Sequence, residues 1–511
     1  MRKLLKVMFG QIVVISVLLV CQMLLLALLI MKLSEYAVYI NIIFNLLSLA
    51  VIVIIINRHS NPMYKLAWVI PILLFPVLGG VFYLFIMGQS RTKRFFSRIK
   101  NLESITTKNY PQSQEILREI DSRYPDRSSA VKYINKVCSL NAYRCREAKY
   151  FPCGEDKFRA ILEELEKAER YIFVEYFIIS RGYMWDSILN ILKRKVKEGV
   201  DVRVMYDGMG SLAPLPLGYH KKLENYGIKC RVFSPFTPFL SALQNNRDHR
   251  KIIVIDGKTA FTGGVNLADE YINLKEKHGH WKDMGIMIKG EAAFSFTIMF
   301  LQMWHSGGNE KFNMKDYEPV FLSEELSREN GYVMPYSDIP LDNYQTGEYI
   351  YLDIINRAKK YIYITTPYLI LDNEMEVALI NAAISGVDVK IICPAIPDHW
   401  YARAVAYSYY KELTESGIKI YEYTPGFMHG KTFASDGEAA VVGSINLDFR
   451  SLYLHFECAA YVVGSEVVKD VVEDFDATLK KSRLITLEDC NNIRPLNKLV
   501  NAILRVFAPL M

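Results

Sequence analysis

The chain has 511 residues, a formal net charge of +6 at pH 7 and eight cysteines. That length suffices for two or three domains with a large core, and the mildly basic balance fits an anionic partner, phospholipid or nucleic acid, without choosing between them. The cysteines lie far apart, with no Cys-x-x-Cys pair and no Cys/His group at zinc spacing, which argues against a zinc module and for reduced, mostly buried thiols in a cytoplasm-facing body.

Three apolar runs open the chain: Phe9 to Met31, Val38 to Ile56 and Leu66 to Met87. Each is near the ~20 residues a helix needs to cross a bilayer. Arg2, Lys3 and Lys6 before the first run look like the start of a signal peptide, but the run is too long for one and no small-x-small cleavage site follows. An uncleaved membrane anchor of two or three transmembrane or re-entrant helices is expected over residues 1–100. Pro71, Pro76, Gly79 and Gly80 should kink or break the third helix. Arg91, Lys93, Arg94, Arg98 and Lys100 come next, and clustered cations favour the cytoplasmic side. The expectation is a multi-pass protein of the cell membrane with its large C-terminal body facing the cytoplasm.

From about residue 101 the chain repeats itself. AERYIFVEYF, from Ala168, resembles AKKYIYITTP, from Ala358, at an offset of 190 residues; Trp281 to Asp283 resembles His455 to Glu457 at an offset of 174. Drifting offsets are what duplication followed by insertion and deletion leaves behind. Each half alternates strand and helix. Strands are expected over Tyr171 to Ile179 and Tyr361 to Tyr368, helices over Trp185 to Lys197 and Glu374 to Ile384, and strands again over Val200 to Tyr206 and Val387 to Cys393. The fold class is therefore α/β: a duplicated sandwich of two pseudo-symmetric halves with mixed sheets, plus N-terminal transmembrane helices. The first half is expected over 101–334, the second over 335–485, and a C-terminal amphipathic segment over 486–511. Pro335 to Thr346, polar and turn-rich, reads as the linker between halves. Ten extra residues of the first half lie in Phe236 to Asn246, where Phe236, Phe239 and Leu240 form either an apolar lip over a lipid-facing mouth or the inside of a long loop. In the last segment Leu496, Leu499, Val500, Ile503, Leu504 and Phe507 follow helical spacing, which suits either a bilayer surface or docking on the body.

One pattern occurs twice. The first copy is His249-x-Lys251, four residues, Asp256, six residues and Gly263-Gly264-x-Asn266; the second is His429-x-Lys431, four residues, Asp436, six residues and Gly443-Ser444-x-Asn446. Such a doubled set suits a phosphodiester, which carries one negative charge and a poor alkoxide leaving group. A neutral imidazole can attack it near pH 7, and a second, protonated imidazole can give the alkoxide its proton. One histidine cannot hold both roles at once, so the motif is needed twice. The catalytic set is His249, Lys251, Asp256, His429, Lys431 and Asp436. The lysines would hold non-bridging oxygens, with Asn266 and Asn446 as further substrate-binding donors. Asp256 and Asp436 follow a strand and are expected to hold the motif loops rather than touch substrate. Asp283 and Glu457 align in the repeats, and a carboxylate on the far nitrogen of each histidine would fix its tautomer. No metal or other cofactor is required if two lysines carry the charge. The remaining histidines, His455 among them, take the default of a structural or exposed role.

These motifs resemble the phospholipase D superfamily, marked by two His-x-Lys-x4-Asp copies, and within it the bacterial cardiolipin synthase family. The resemblance spans nearly the whole chain. It includes Asn61-Pro62 and Leu66-Ala-Trp68 at the membrane end, HRKIIVIDGKTAFTGGVNLADEY in the first half, and TPYLI, GVDVKIICPAIPD and GSINLDFRSLYLHFE in the second. It implies transfer of a phosphatidyl group from one phosphatidylglycerol to another, forming cardiolipin and releasing glycerol. It implies His249 as nucleophile and His429 as general acid and base, two residues that the sequence alone treats as equivalent. The partners it implies are phosphatidylglycerol and other anionic phospholipids of a bacterial membrane, with no nucleic acid; the oligomeric state stays open. Gly430 stands where the family usually has Ser, His455 where it has Asn, and Asp248 where it has Asn. None of these removes a catalytic group, but each bears on acceptor choice. Three competing readings are a membrane-bound phospholipase D releasing phosphatidic acid, a membrane-tethered nuclease and a non-catalytic lipid-binding scaffold.

Overall fold

The computed structural model describes residues 34–58, 61–76, 90–235, 245–307, 312–321, 330–342 and 344–510, with a few single residues between 20 and 83. Two compact units result: Met1–Lys93 with Pro235–Asn245 in one, Arg94–Ser234 with Asn246–Pro509 in the other.

In the first unit, α1 (Ser34–Ile56) packs on α2 (Pro62–Leu74). The side-chain oxygen of Asn61 accepts from Met63 N (2.9 Å) and Pro62 takes the first helical position, a standard start signal. α2 stops at Leu74, just ahead of Phe75-Pro76, because the residue before a proline is pushed out of the helical region. Val51, Ile52, Ile55 and Ile72 form a small core, while Ile42, Ile43, Leu46, Leu49, Val53 and Ile54 of α1 are exposed. Among the described residues, no helix is both long and apolar enough to cross a membrane. The first expected run, Phe9 to Met31, lies outside the described residues but for Val20, Met23 and Leu24, and so do Phe236, Phe239 and Leu240 of the expected lip.

The second unit holds two large sheets. The first half supplies β1 (Tyr143–Arg144), β2 (Glu147–Phe151), β3 (Tyr171–Tyr176), β4 (Asp201–Asp207), β5 (Lys229–Phe233), β6 (Lys251–Ile255), β7 (Thr259–Gly263), β8 (His280–Lys282) and β9 (Gly285–Lys289). The second supplies β10 (Tyr332–Asp338), β11 (Tyr361–Thr365), β12 (Asp388–Pro394), β13 (Lys419–Tyr423), β14 (Gly426–Met428), β15 (Thr432–Ser435), β16 (Ala439–Gly443), β17 (Glu457–Val463) and β18 (Ser482–Leu484). The sheet orders are β2-β9-β7-β6-β3-β4-β5 and β1-β10-β17-β16-β15-β11-β12-β13-β18. Without β1 and β18, the second order repeats the first strand for strand. β3, β4 and β5 run parallel, as do β11, β12 and β13, whereas β6 and β15 join them antiparallel, so both sheets are mixed. The parallel crossovers need helices, and α3 (Tyr183–Lys197) makes the one from β3 to β4. α4 (Ala293–Ser306), buried along its whole length, follows β9. α5 (Asn373–Ile384) and α6 (Trp400–Glu415) serve the second sheet in the same way, and α7 (Glu466–Leu479) follows β17. With helices on the faces, β3 and β6 are buried at every residue, which is why they read as apolar runs rather than alternating ones.

Two stretches depart from the expected division. Residues 114–144 precede the repeat and fall within the expected first half, yet they lie against the second. There β1 pairs with β10, Arg127 meets Asp436 at 3.1 Å, and Tyr133 stacks on Tyr349 at 3.7 Å between ring centroids. Pro335 to Thr346, expected as a linker, begins inside β10, which is fully buried. β1 pairs only with Tyr332 and Val333, so at Pro335 β10 is an edge strand and tolerates a residue without an N–H.

α8 (Pro495–Val506) packs along α6, and Arg505 Nη2 donates to Glu376 Oε2 at 2.7 Å. Docking thus holds for one face of the helix, while Leu496, Leu499 and Ile503 on the apolar stripe stay exposed. The seven described cysteines are free thiols, five of them buried.

Candidate active site

The two halves meet through reciprocal backbone contacts. β8 and β14 pair in parallel, Trp281 opposite Phe427, and His429 N donates to Lys282 O at 2.8 Å. The matching contact joins Asp248 to Phe456: His249 N donates to Phe456 O at 2.9 Å and Phe456 N to Arg247 O at 2.8 Å. Each motif histidine is therefore tied to the residue that precedes a carboxylate of the opposite half. In consequence Glu457 Oε1 meets His249 Nδ1 at 2.8 Å, and Asp283 Oδ2 meets His429 Nδ1 at 2.5 Å. A carboxylate there holds the Nδ1–H tautomer and leaves Nε2 with a lone pair.

Small residues make room for this crossing. A Cβ on Gly264 would stand 2.0 Å from Asp283 Oδ1. At the matching position Ser444 instead donates its hydroxyl to Glu457 Oε2. One half thus pairs a short carboxylate with a glycine, the other a long carboxylate with a serine.

Lys251 opens β6 and Lys431 directly precedes β15; both are buried. Lys251 Nζ donates to His249 O at 2.6 Å, and Lys431 Nζ lies 2.8 Å from His429 Nδ1 while donating to the same residue's carbonyl. Burial draws both ammonium groups down, Lys251 to about 8 and Lys431 to about 7. The imidazoles are lowered by burial first and the lysine charges second. His249 falls well below its ordinary value and His429 to about 4, the latter held up in part by Asp283. His249 also feels Lys431 and His429 from the opposite half, so the two motifs share one buried centre.

The other expected residues are placed as follows. Asp256 accepts from the backbone N–H of Glu169, Arg170 and Tyr171, each at 2.8 Å. Asp436 accepts from Lys359 (2.9 Å), Lys360 (2.8 Å) and Tyr361 (3.0 Å). Both residues have left-handed backbones, φ 53° and 58°, and bind the start of β3 and of β11 to the motif turn. Asn266 accepts from Ile178 N (3.1 Å) and donates to the Tyr271 hydroxyl (2.8 Å); Asn446 donates to Asp448 Oδ2 (2.9 Å). Each asparagine therefore spends at least one amide hydrogen on its own loop.

Several neighbours of the centre escaped the sequence reading. His455, expected to be structural or exposed, has its ring 5.3 Å from that of His249 and its Nδ1 3.7 Å from Glu457 Oε1. Burial lowers it to about 3. The one available signal was its departure from the family's Asn. Phe177 packs edge-on to His249 at 4.9 Å, and Tyr271 and Trp281 lie 5.4 and 5.5 Å from His429. Among the described residues, two groups bring three possible metal-ligating atoms within 4.8 Å of one another: His249, His455 and Glu457, and Glu348, Asp372 and Glu374. Two neutral imidazoles and two ammonium groups in a buried setting are suited to a monoanionic phosphate ester.

Comparison with known proteins agrees with this geometry. The family profile described as "Cardiolipin synthase, PLD-like domain" matches residues 161–304 and 351–479, and "Phospholipase_D-nuclease N-terminal" matches residues 46–86. An uncharacterised protein of Streptococcus mutans is 46% identical over 89% of this chain and 98% of its own length. The cardiolipin synthase of Alkalihalophilus pseudofirmus is 33% identical over 92% of this chain and 93% of its own length. Cardiolipin synthase 2 of Bacillus anthracis is 32% identical over 89% and 88%. In structure, the phosphatidylserine synthase of Haemophilus influenzae superposes with a TM-score of 0.55 at 16% identity, covering 75% of this chain and 98% of its own, a likeness of fold. The chain is an enzyme of the phospholipase D superfamily and belongs to its cardiolipin synthase family.

Proposed function

We propose that this enzyme is a phosphatidyl transferase that forms cardiolipin and glycerol from two phosphatidylglycerol molecules through a covalent phosphohistidine. The observation that carries the reading is the crossed centre: each buried imidazole is bonded at Nδ1 by a carboxylate of the opposite half. Relatives named as cardiolipin synthases over about nine-tenths of the chain support the lipid substrate.

The family resemblance makes His249 the nucleophile and His429 the acid and base; burial and the lysine charges keep both free imidazoles neutral, and Asp283 works against that at His429. The lysine charges suppress protonation of both rings, and a bound phosphodiester anion offsets those charges and lets His429 take up a proton. Nε2 of His249 then attacks phosphorus and the P–O bond to glycerol breaks. His429 gives its proton to that oxygen, and glycerol leaves. Neutral His429 next removes the proton from a hydroxyl of the second phosphatidylglycerol. The oxygen attacks phosphorus, the P–N bond breaks, and cardiolipin leaves with His249 restored. Lys251 and Lys431 hold the non-bridging oxygens as charge builds. The remaining amide hydrogen of Asn266 and of Asn446 is assigned to the same oxygens, and Asp256 and Asp436 hold the loops.

The enzyme works at the cell membrane, held by the anchor over residues 1–100, with its body on the cytoplasmic side. The exposed apolar rows of α1 and α8 support membrane association. Full-length protein in phosphatidylglycerol vesicles, without nucleotide or added metal, is expected to release cardiolipin and glycerol in equal amounts. Phosphatidic acid as the main product would make water the acceptor, and no turnover would reject the reading.

A further inference from the structure

Lys157 sits in the first turn of the helix Gly154–Leu165 and is fully buried. Its Nζ has no hydrogen-bond partner among the described residues. Its stem crosses Gly285, two residues after Asp283: a Cβ on Gly285 would stand 2.6 Å from Lys157 Cδ and 3.1 Å from its Cε. The ammonium interacts with Asp283 and Lys251 of its own half and Cys458 of the other, and burial lowers it to about 8. Burying a partnerless ammonium is costly, so packing alone gives no reason for a lysine here.

The second half has no such group. At the 190-residue offset of the repeats, Gly347 stands where Lys157 does; at the 174-residue offset, Ala459 stands where Gly285 does. The feature is therefore not a by-product of duplication. Other buried cations near the centre face carboxylates, Arg250 facing Glu175 at 3.8 Å and Arg247 facing Asp207 at 3.3 Å, whereas Asp283, the carboxylate that Lys157 feels, is bonded to His429.

We infer that Lys157 is a positioning residue whose buried, unbonded ammonium draws a phosphodiester monoanion into the centre and holds it there, without touching the reacting atoms. The inference rests on the phosphodiester reading above and adds the residue that neutralises the substrate. Its test is the melting temperature of the full-length protein with and without dimethyl phosphate, alongside kcat and KM for phosphatidylglycerol. Lys157→Met is expected to melt higher than wild type without the anion, since an unpaired buried charge is gone. It should lose the anion-induced rise, and its KM should increase about tenfold with kcat changed less than about threefold. Lys157→Gln gives the same readouts if Lys157→Met does not fold, and Lys157→Arg should restore the anion-induced rise. A neutral variant that keeps both the wild-type rise and the wild-type KM overturns the inference, whatever its melting temperature. The anion-induced rise is read without turnover, so it judges Lys157 even if the wild-type protein makes no cardiolipin.

Discussion

The two halves of the catalytic body share a strand order but not a chemistry. Each offers a histidine, a lysine and a carboxylate at matching places in its sheet, and each carboxylate crosses to the other half's imidazole. Yet Asp283 lies over Gly264 while Glu457 takes the hydroxyl of Ser444, and Lys157 over Gly285 is matched by Gly347 and Ala459. Burial lowers both imidazoles, and Asp283 works against it at His429. Backbone symmetry places two equivalent imidazoles together; a handful of side chains then makes their surroundings unequal, which suits a reaction with one nucleophile and one proton carrier.

The largest expected effect comes from the histidines. His249→Ala should lose about 10⁴-fold or more in turnover and form no covalent adduct. His429→Ala should be comparably slow with glycerol as leaving group, yet still become phosphorylated at His249 by a 4-nitrophenyl phosphodiester, whose leaving group needs no proton. Intact-protein mass after an alkaline quench reads the adduct, and the reverse pattern would swap the two roles. A smaller effect, about 10²- to 10³-fold in kcat, is expected for Asp283→Asn and Glu457→Gln, since each frees a ring to adopt the wrong tautomer. The comparison sharpens if the 4-nitrophenyl substrate rescues adduct formation in Asp283→Asn and not in Glu457→Gln; equal rescue of both would remove the division of labour. The mildest effect is on pH. Lys431 and Lys251 are charged below about 7 and about 8, so the free enzyme loses its hold on phosphate as pH rises through that window. kcat/KM should fall there by up to about tenfold per unit, while kcat, measured with the anion bound beside the ammonium groups, falls less. A kcat/KM that stays flat from pH 6 to 9 would show that the lysines do not titrate in that range.

Local patterns made much of this legible. The apolar runs Tyr171 to Ile179 and Val200 to Tyr206 became β3 and β4 within a few residues, since buried parallel strands need continuous apolar sequence. Asp256 and Asp436, placed after a strand, were expected to hold their loops, and each accepts three backbone N–H bonds. What stayed hidden depends on partners far along the chain. His455 looked like a spare histidine because its neighbour His249 is 206 residues away. Lys157 shares a helical stripe with Ile161 and Leu165, yet nothing in GEDKFRAILEEL shows that this stripe meets β9 at Gly285. Residues 114–144 carry no repeat to tie them to either sheet, and Pro335 argued for a turn because its edge position is set by the shortness of β1.

By itself the amino-acid order determined the duplicated α/β body, the pair of His-x-Lys-x4-Asp motifs and the family they belong to, because periodicity and spacing are properties of neighbouring residues. Tertiary structure alone decided that each carboxylate serves the other half's histidine, that burial lowers both imidazoles, and that a third lysine lies under the same centre. Those outcomes follow from burial and from charges brought together across about 150 to 210 residues of chain, where the Coulomb energy of a pair depends on distance in space and not on distance in sequence.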